Sequence, residues 1–200
     1  MPRYIALLRG INLGGHTVKM DKLKKHFEEL GFKNVETFIA SGNVIFESAS
    51  SNAAALEKKI TGHLEKSLGF PAMTFLRTDE EIAAVLEHEA CRELGARALY
   101  IGFLASELSK ESHARVLSYS TKSDQFYVSG RHVYWVCGTH MSDSPFFRIG
   151  IEKAAGVKTT VRNVTTIAKL ADKYSSRRQM ADGGRQKPAG KKSAKKRSAK

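Results

Sequence analysis

Two hundred residues, 42% hydrophobic and 26% charged, suit a soluble globular chain with one large core or two small ones. The formal charge of +13 is uneven: residues 176–200 hold ten Lys or Arg against one acid, which leaves +4 on the other 175. No apolar run approaches the roughly eighteen residues of a membrane span, the start MPRYIALLRG lacks a cleavage-site pattern, and Cys91 and Cys137 read as reduced thiols. The expectation is a cytoplasmic protein without membrane contact.

Arg3 to Leu8 reads as a strand that is apolar on both faces, hence central and covered on both sides. Residues 9 to 19 form a glycine-rich loop. Met20, Leu23, Phe27 and Leu30 then mark one side of a helix that Gly31 ends in the left-handed conformation. Val35 to Ala40 and Val44 to Glu47 read as strands joined by the turn Ser41-Gly42-Asn43. Ala53 to Leu68 is a second helix with Leu56, Ile60, Leu64 and Leu68 on one stripe. Met73 to Arg77 is a fourth strand. Thr78 with Glu81 forms a capping-box signature that opens a third helix through about Glu89.

The order then repeats. Ala98 to Leu104 is a strand and Glu107 to Leu117 a helix. Gln125 to Ser129 and His132 to Cys137 are strands around a turn. Phe146 to Ala155 is a helix, Thr159 to Arg162 a strand, and Asn163 caps a last helix through about Tyr174. Each half reads βαββαβ plus a helix, which predicts an α+β chain of tandem ferredoxin-like halves with antiparallel sheets. The expected divisions are 1–92, 93–175 and a tail, 176–200. The tail has no apolar pattern and is expected to be disordered. The open face of each sheet is expected to be covered by the other half or by the extra helices. Ser41-Gly42-Asn43 and Ser129-Gly130-Arg131 stand as matching turns.

Several of these segments resemble one bacterial family. YIALLRGINLGG followed by KM, then LGF, then TFIASGNVIF, is similar to the signature of domain-of-unknown-function family 1697 (DUF1697). TVRNVTTIAKL near residue 165 resembles that family's closing motif. The likeness spans residue 3 to about 174. It implies a cytoplasmic protein of two ferredoxin-like halves and implies no activity. The chain departs from the family's pattern at Ser144-Pro145-Phe146, where Ser-Lys-Leu is frequent, and at Val164-Thr165, where Trp-Asn is frequent.

Chemistry is most legible in the first loop. Glycines let backbone N–H groups converge ahead of a helix, and a guanidinium can grip phosphate or carboxylate in a fork. Arg9, Gly10, Asn12, Gly14 and Gly15 therefore form a candidate ligand-binding set for a phosphate-bearing small molecule or nucleic acid. The hairpin residues Ser41 and Asn43 are expected beside it, because the third strand begins where the first ends. Two plainer readings stand alongside: the glycines shape a tight turn capped by Asn12, and Ser41-Gly42-Asn43 is only a good turn. The loop nearly matches a P-loop, but His16 replaces the lysine that would reach the terminal phosphates. The alternative function is an enzyme on a small phosphorylated or carboxylated substrate, with His16 as acid or base. Arg162 reads as a surface charge and Asn163 as a cap.

Cys137 and His140 have ligand-like spacing but no second pair, so neither metal nor cofactor is expected. The aromatic residues of the second sheet, among them Tyr100, Phe126 and Trp135, read as core rather than as a base-stacking platform, since the RNA-recognition octamer is absent. Lys191, Lys192, Lys195, Lys196 and Arg197 would attract nucleic acid without sequence preference, or merely confer solubility.

Overall fold

The computed structural model describes residues 1–12, 15, 17–39, 42–92 and 98–175. Gly14, His16, Ser41 and the tail residues Lys191, Lys192, Lys195, Lys196 and Arg197 lie outside them.

The described chain runs β1 (Arg3–Arg9), α1 (Met20–Glu29), β2 (Lys33–Phe38), β3 (Asn43–Glu47), α2 (Ala53–Leu68), β4 (Met73–Thr78) and α3 (Asp79–Val85). A second series follows: β5 (Ala98–Leu104), α4 (Lys110–Leu117), β6 (Asp124–Ser129), β7 (His132–Cys137), α5 (Gly150–Ala155), β8 (Thr159–Asn163) and α6 (Val164–Tyr174). Two four-stranded antiparallel sheets result, ordered β2-β3-β1-β4 and β6-β7-β5-β8. This order, with the first and third strands central, is that of the split βαβ expected from the element order.

The doubly apolar strands have a direct explanation. Tyr4, Ala6 and Leu8 of β1 join Val44, Phe46 and Leu76 under α1 and α2, packed with Leu23, Phe27, Leu56, Ile60 and Leu64. Ile5 and Leu7 point the other way, with Ile45 and Phe75, into a core shared with Leu99, Ile101, Phe103, Tyr134 and Val136 of the second sheet. Ile82 and Val85 of α3 and Ile167 and Leu170 of α6 belong to that shared core. Each open sheet face is thus covered by the other half together with the extra helices, as the sequence implied. The other face of the second sheet gathers Phe126, Trp135, Phe146 and Ile151, so these aromatics are core.

Local signals hold where capping chemistry is explicit. Thr78 and Glu81 make both bonds of a capping box at α3, and the Asn163 side chain accepts from Thr165 N–H at α6. Gly31 has φ +82°. Several boundaries differ from expectation. The helix expected through about Glu89 ends at Val85, with Leu86 as its C-cap and a separate 3-10 turn over Glu89–Cys91. β2 ends at Phe38, because Ile39 takes a left-handed φ of +58° and leaves the strand. The helix expected over 107–117 starts at Lys110, where Ser109 caps it. The helix expected from Phe146 to Ala155 is two pieces: a 3-10 turn, Pro145–Arg148, and α5, with Gly150 at φ +71° breaking the path between them.

Candidate functional site

The end of β1 and the start of the following loop face β8 of the other half. Leu8, Arg9, Gly10, Ile11 and Asn12 line one side of a cleft of about 400 Å³, and Thr159, Thr160, Val161 and Arg162 line the other. The two walls touch at the bottom, where Thr160 Oγ1 donates to Leu8 O at 3.2 Å.

Arg162 forms the floor. It is 8% exposed, so its reading as a surface charge is corrected. Its Nε donates to Asn43 Oδ1 at 2.8 Å, Nη1 to Thr160 Oγ1 and Val161 O at 2.8 and 2.9 Å, and Nη2 to Leu8 O and Gly42 O at 2.9 and 3.3 Å. These five oxygens are neutral, and a guanidinium has five N–H bonds. The group is therefore a fixed charge rather than a hand held out to a ligand. Burial lowers its pKa to about 10, which leaves it a cation at neutral pH.

Arg9 stands at the rim. Its Nε and Nη2 donate to Glu152 Oε2 and Oε1 at 2.8 and 3.0 Å, a fork that joins the two halves. The bidentate geometry expected of Arg9 is present, but its carboxylate is the protein's own. Glu152 also accepts from Lys158 Nζ at 3.1 Å and Thr159 N–H at 3.3 Å. Burial would raise its carboxyl. The Lys158 and Thr159 hydrogen bonds and the Arg9 cation outweigh that and hold it below the usual range.

The other expected residues divide. Gly10 lines the cleft at φ +91°, and a Cβ there would lie 2.8 Å from Pro71 O, so both backbone angle and space require glycine. Asn12 lines the cleft and its Oδ1 accepts from Val18 N–H at 3.3 Å, which ties the loop to the start of α1. Gly15 has φ +83° and is not among the lining residues. Asn43 is wholly buried: its Nδ2 donates to Phe38 O at 2.9 Å while Oδ1 holds Arg162. It is near Arg9 in the chain fold, opposite Leu7, but builds the floor rather than the wall.

A mirror of this floor lies across the molecule. Arg77, fully buried on β4, donates from Nη2 to Leu104 O and Arg131 O at 2.7 and 3.0 Å, from Nε to His132 Nε2 at 3.0 Å, and from Nη1 to Leu76 O at 2.7 Å. Arg162 reaches the end of β1, the β2–β3 turn and the first residue of β3. Arg77 reaches the end of β5, the β6–β7 turn and the first residue of β7. The match sets Asn43 against His132 and Gly42 against Arg131, one place off the turn alignment expected from sequence. The signal missed was an arginine directly before a helix cap, Arg77-Thr78 and Arg162-Asn163, at the same place in both halves.

A second cluster involves helices alone. His26 and Glu29 on α1 and His63 on α2 bring one ligand atom each to within 4.8 Å of one another. The sequence, read by spacing, offered no such group.

A family model described as "Protein of unknown function (DUF1697)" matches residues 1–134. The match stops within β7, short of the closing motif. Among solved structures, the conserved bacterial protein SP0830 from Streptococcus pneumoniae is similar at 28% identity and a TM-score of 0.63, over 86% of this chain and 98% of that one. No functionally curated protein matches. Among the described residues no helix is long and apolar enough to cross a membrane.

Proposed function

The chain belongs to the DUF1697 family, and on that premise we propose that it is a binding module for a small anionic ligand, phosphate-bearing by preference, held in the cleft between Leu8–Asn12 and Thr159–Arg162. The observation that carries this reading is the pair of guanidinium groups from opposite halves in one cleft of about 400 Å³, a volume within the range of small-molecule sites. Arg162 supplies a fixed charge at the floor. Arg9 supplies the fork, which suits phosphate as well as carboxylate. At the rim, Arg9 and Lys158 both pair with the carboxylate of Glu152. In the unliganded site Glu152 occupies the fork, so an incoming anion exchanges with it.

That exchange sets opposite signs for two variants. Arg9→Ala removes the fork and weakens binding about tenfold or more, the worth of a charge-assisted pair. Glu152→Gln removes the competing charge and tightens binding several-fold. Titration calorimetry of the full chain with inorganic phosphate, pyrophosphate and AMP measures both. Small probes at moderate salt are needed because the basic tail binds polyanions by itself. Equal affinities in wild type and both variants would sink the reading.

A further inference from the structure

We infer that His26, Glu29 and His63 form a binding site for a first-row divalent metal ion, Zn²⁺ foremost. The site is independent of the anion cleft. It lies where the last turn of α1 meets α2, and it combines two imidazoles with one carboxylate, a set that leaves a fourth position for water.

Distances carry the case. His26 Nδ1 and His63 Nε2 lie 3.1 and 3.2 Å from the same atom, Glu29 Oε2, and all three ligand atoms fall within 4.8 Å of one another. Ligands about 2.0–2.1 Å from a tetrahedral zinc ion stand roughly 3.3 Å apart. Two edges of that tetrahedron are therefore already formed. Closing the third needs only a small turn of the partly exposed His63 ring. Among the described residues no other three His, Cys, Asp or Glu side chains converge in this way.

Electrostatics favours a cation there. Glu29 is the last residue of α1, so its negative charge sits at the negative end of the helix dipole. The Glu29 carboxylate faces both rings through the single oxygen Oε2. An ionised carboxylate only accepts, so both imidazoles present N–H to it. On metal binding each ring releases that proton or moves it to its other nitrogen, and the freed lone pair binds the ion. For His26 the other nitrogen, Nε2, is buried with no hydrogen-bond partner among the described residues. It is unsatisfied in either tautomer, so the change creates no new orphan.

Competition for Zn²⁺ between the full chain and a chromophoric chelator tests this, alongside the visible spectrum of the Co²⁺ form. One equivalent is expected to bind the wild type and to give the Co²⁺ band of a nitrogen–oxygen site. His63→Gln and Glu29→Gln should each lower affinity at least tenfold and abolish that band. Both positions are partly exposed, and circular dichroism confirms that the variants fold. Zn²⁺ should also raise the Tm of the wild type and leave His63→Gln unmoved. Absence of binding to the wild type at micromolar Zn²⁺ overturns the site, as does unchanged affinity in both variants.

Discussion

Arg77 donates to four protein acceptors and Arg162 to five, and in each case three of them belong to the opposite half. Replacing either by methionine keeps volume but removes four or five hydrogen bonds from a charged donor. Arg131 O, Gly42 O and Leu8 O each keep one other donor, in Leu104 N–H, Leu8 N–H and the Thr160 hydroxyl. A hydrogen bond to a charged group contributes about 1.5–3 kcal/mol. Part of that returns because a buried cation has gone. The expected net loss is on the order of 3 kcal/mol for each variant, read by equilibrium unfolding in urea. Lysine does not rescue, since it lacks the planar fork that spans two carbonyls. Of this arrangement the sequence displayed only the arginine-before-cap repeat. An arginine on a strand reads as exposed until something 119 residues away is known to enclose it, as Asn43 encloses Arg162. Arg9 shows the converse. Its chemistry was legible, while its partner Glu152, 143 positions on, was not.

Elements were legible where short-range chemistry decides them. The short continuous apolar run of β1, the capping box at Thr78 and the Asn163 cap depend on neighbours a few places away, and they appear where expected. Thr78→Ala should therefore destabilise the fold by about 1 kcal/mol, as lost caps do, with the change visible in the thermal midpoint. The path from Phe146 to Ala155 was misread because an apolar stripe persists through Gly150 while the backbone does not. What fixes α5 instead is a close approach to the second sheet. A Cβ on Gly102 of β5 would stand 3.0 and 3.1 Å from Ile151 and 3.1 Å from Thr159. Gly102→Ala should thus overpack that contact and cost about 1–3 kcal/mol in urea unfolding. Because Thr159 begins the strand that walls the cleft, the same variant should weaken anion binding without touching Arg9.

At the scale of the whole molecule, two βαββαβ units share one central core, and a buried arginine pins each end of the seam. The ends are not equivalent. Arg162 meets Asn43, which does not titrate, whereas Arg77 meets His132. His132 Nε2 accepts from Arg77, so protonating it destroys the bond and places two cations 3.0 Å apart. Burial first, then the charges of Arg77 and Arg131, lower the His132 pKa to about 3, against a weaker opposing pull from the Ser129 backbone and a small push in the same direction from His88. Between pH 6.5 and about 3 the unfolded chain thus binds more protons at this position than the folded one. Stability from His132 is complete above pH 6.5 and is lost as pH falls through that window. Asp79 acts oppositely. Burial, and then Glu80, raise its pKa to about 6, so its protonation in mild acid favours the folded form. A difference between two proteins isolates the histidine: His132→Asn reproduces the chemistry of the Asn43 end and removes the titrating group. Urea unfolding of both at pH 7 and pH 4.5 should show the wild type losing more stability on acidification than the variant, with Asp79 and the other carboxylates cancelling in the comparison. Equal losses would mean that the Arg77 end of the seam does not govern the acid response.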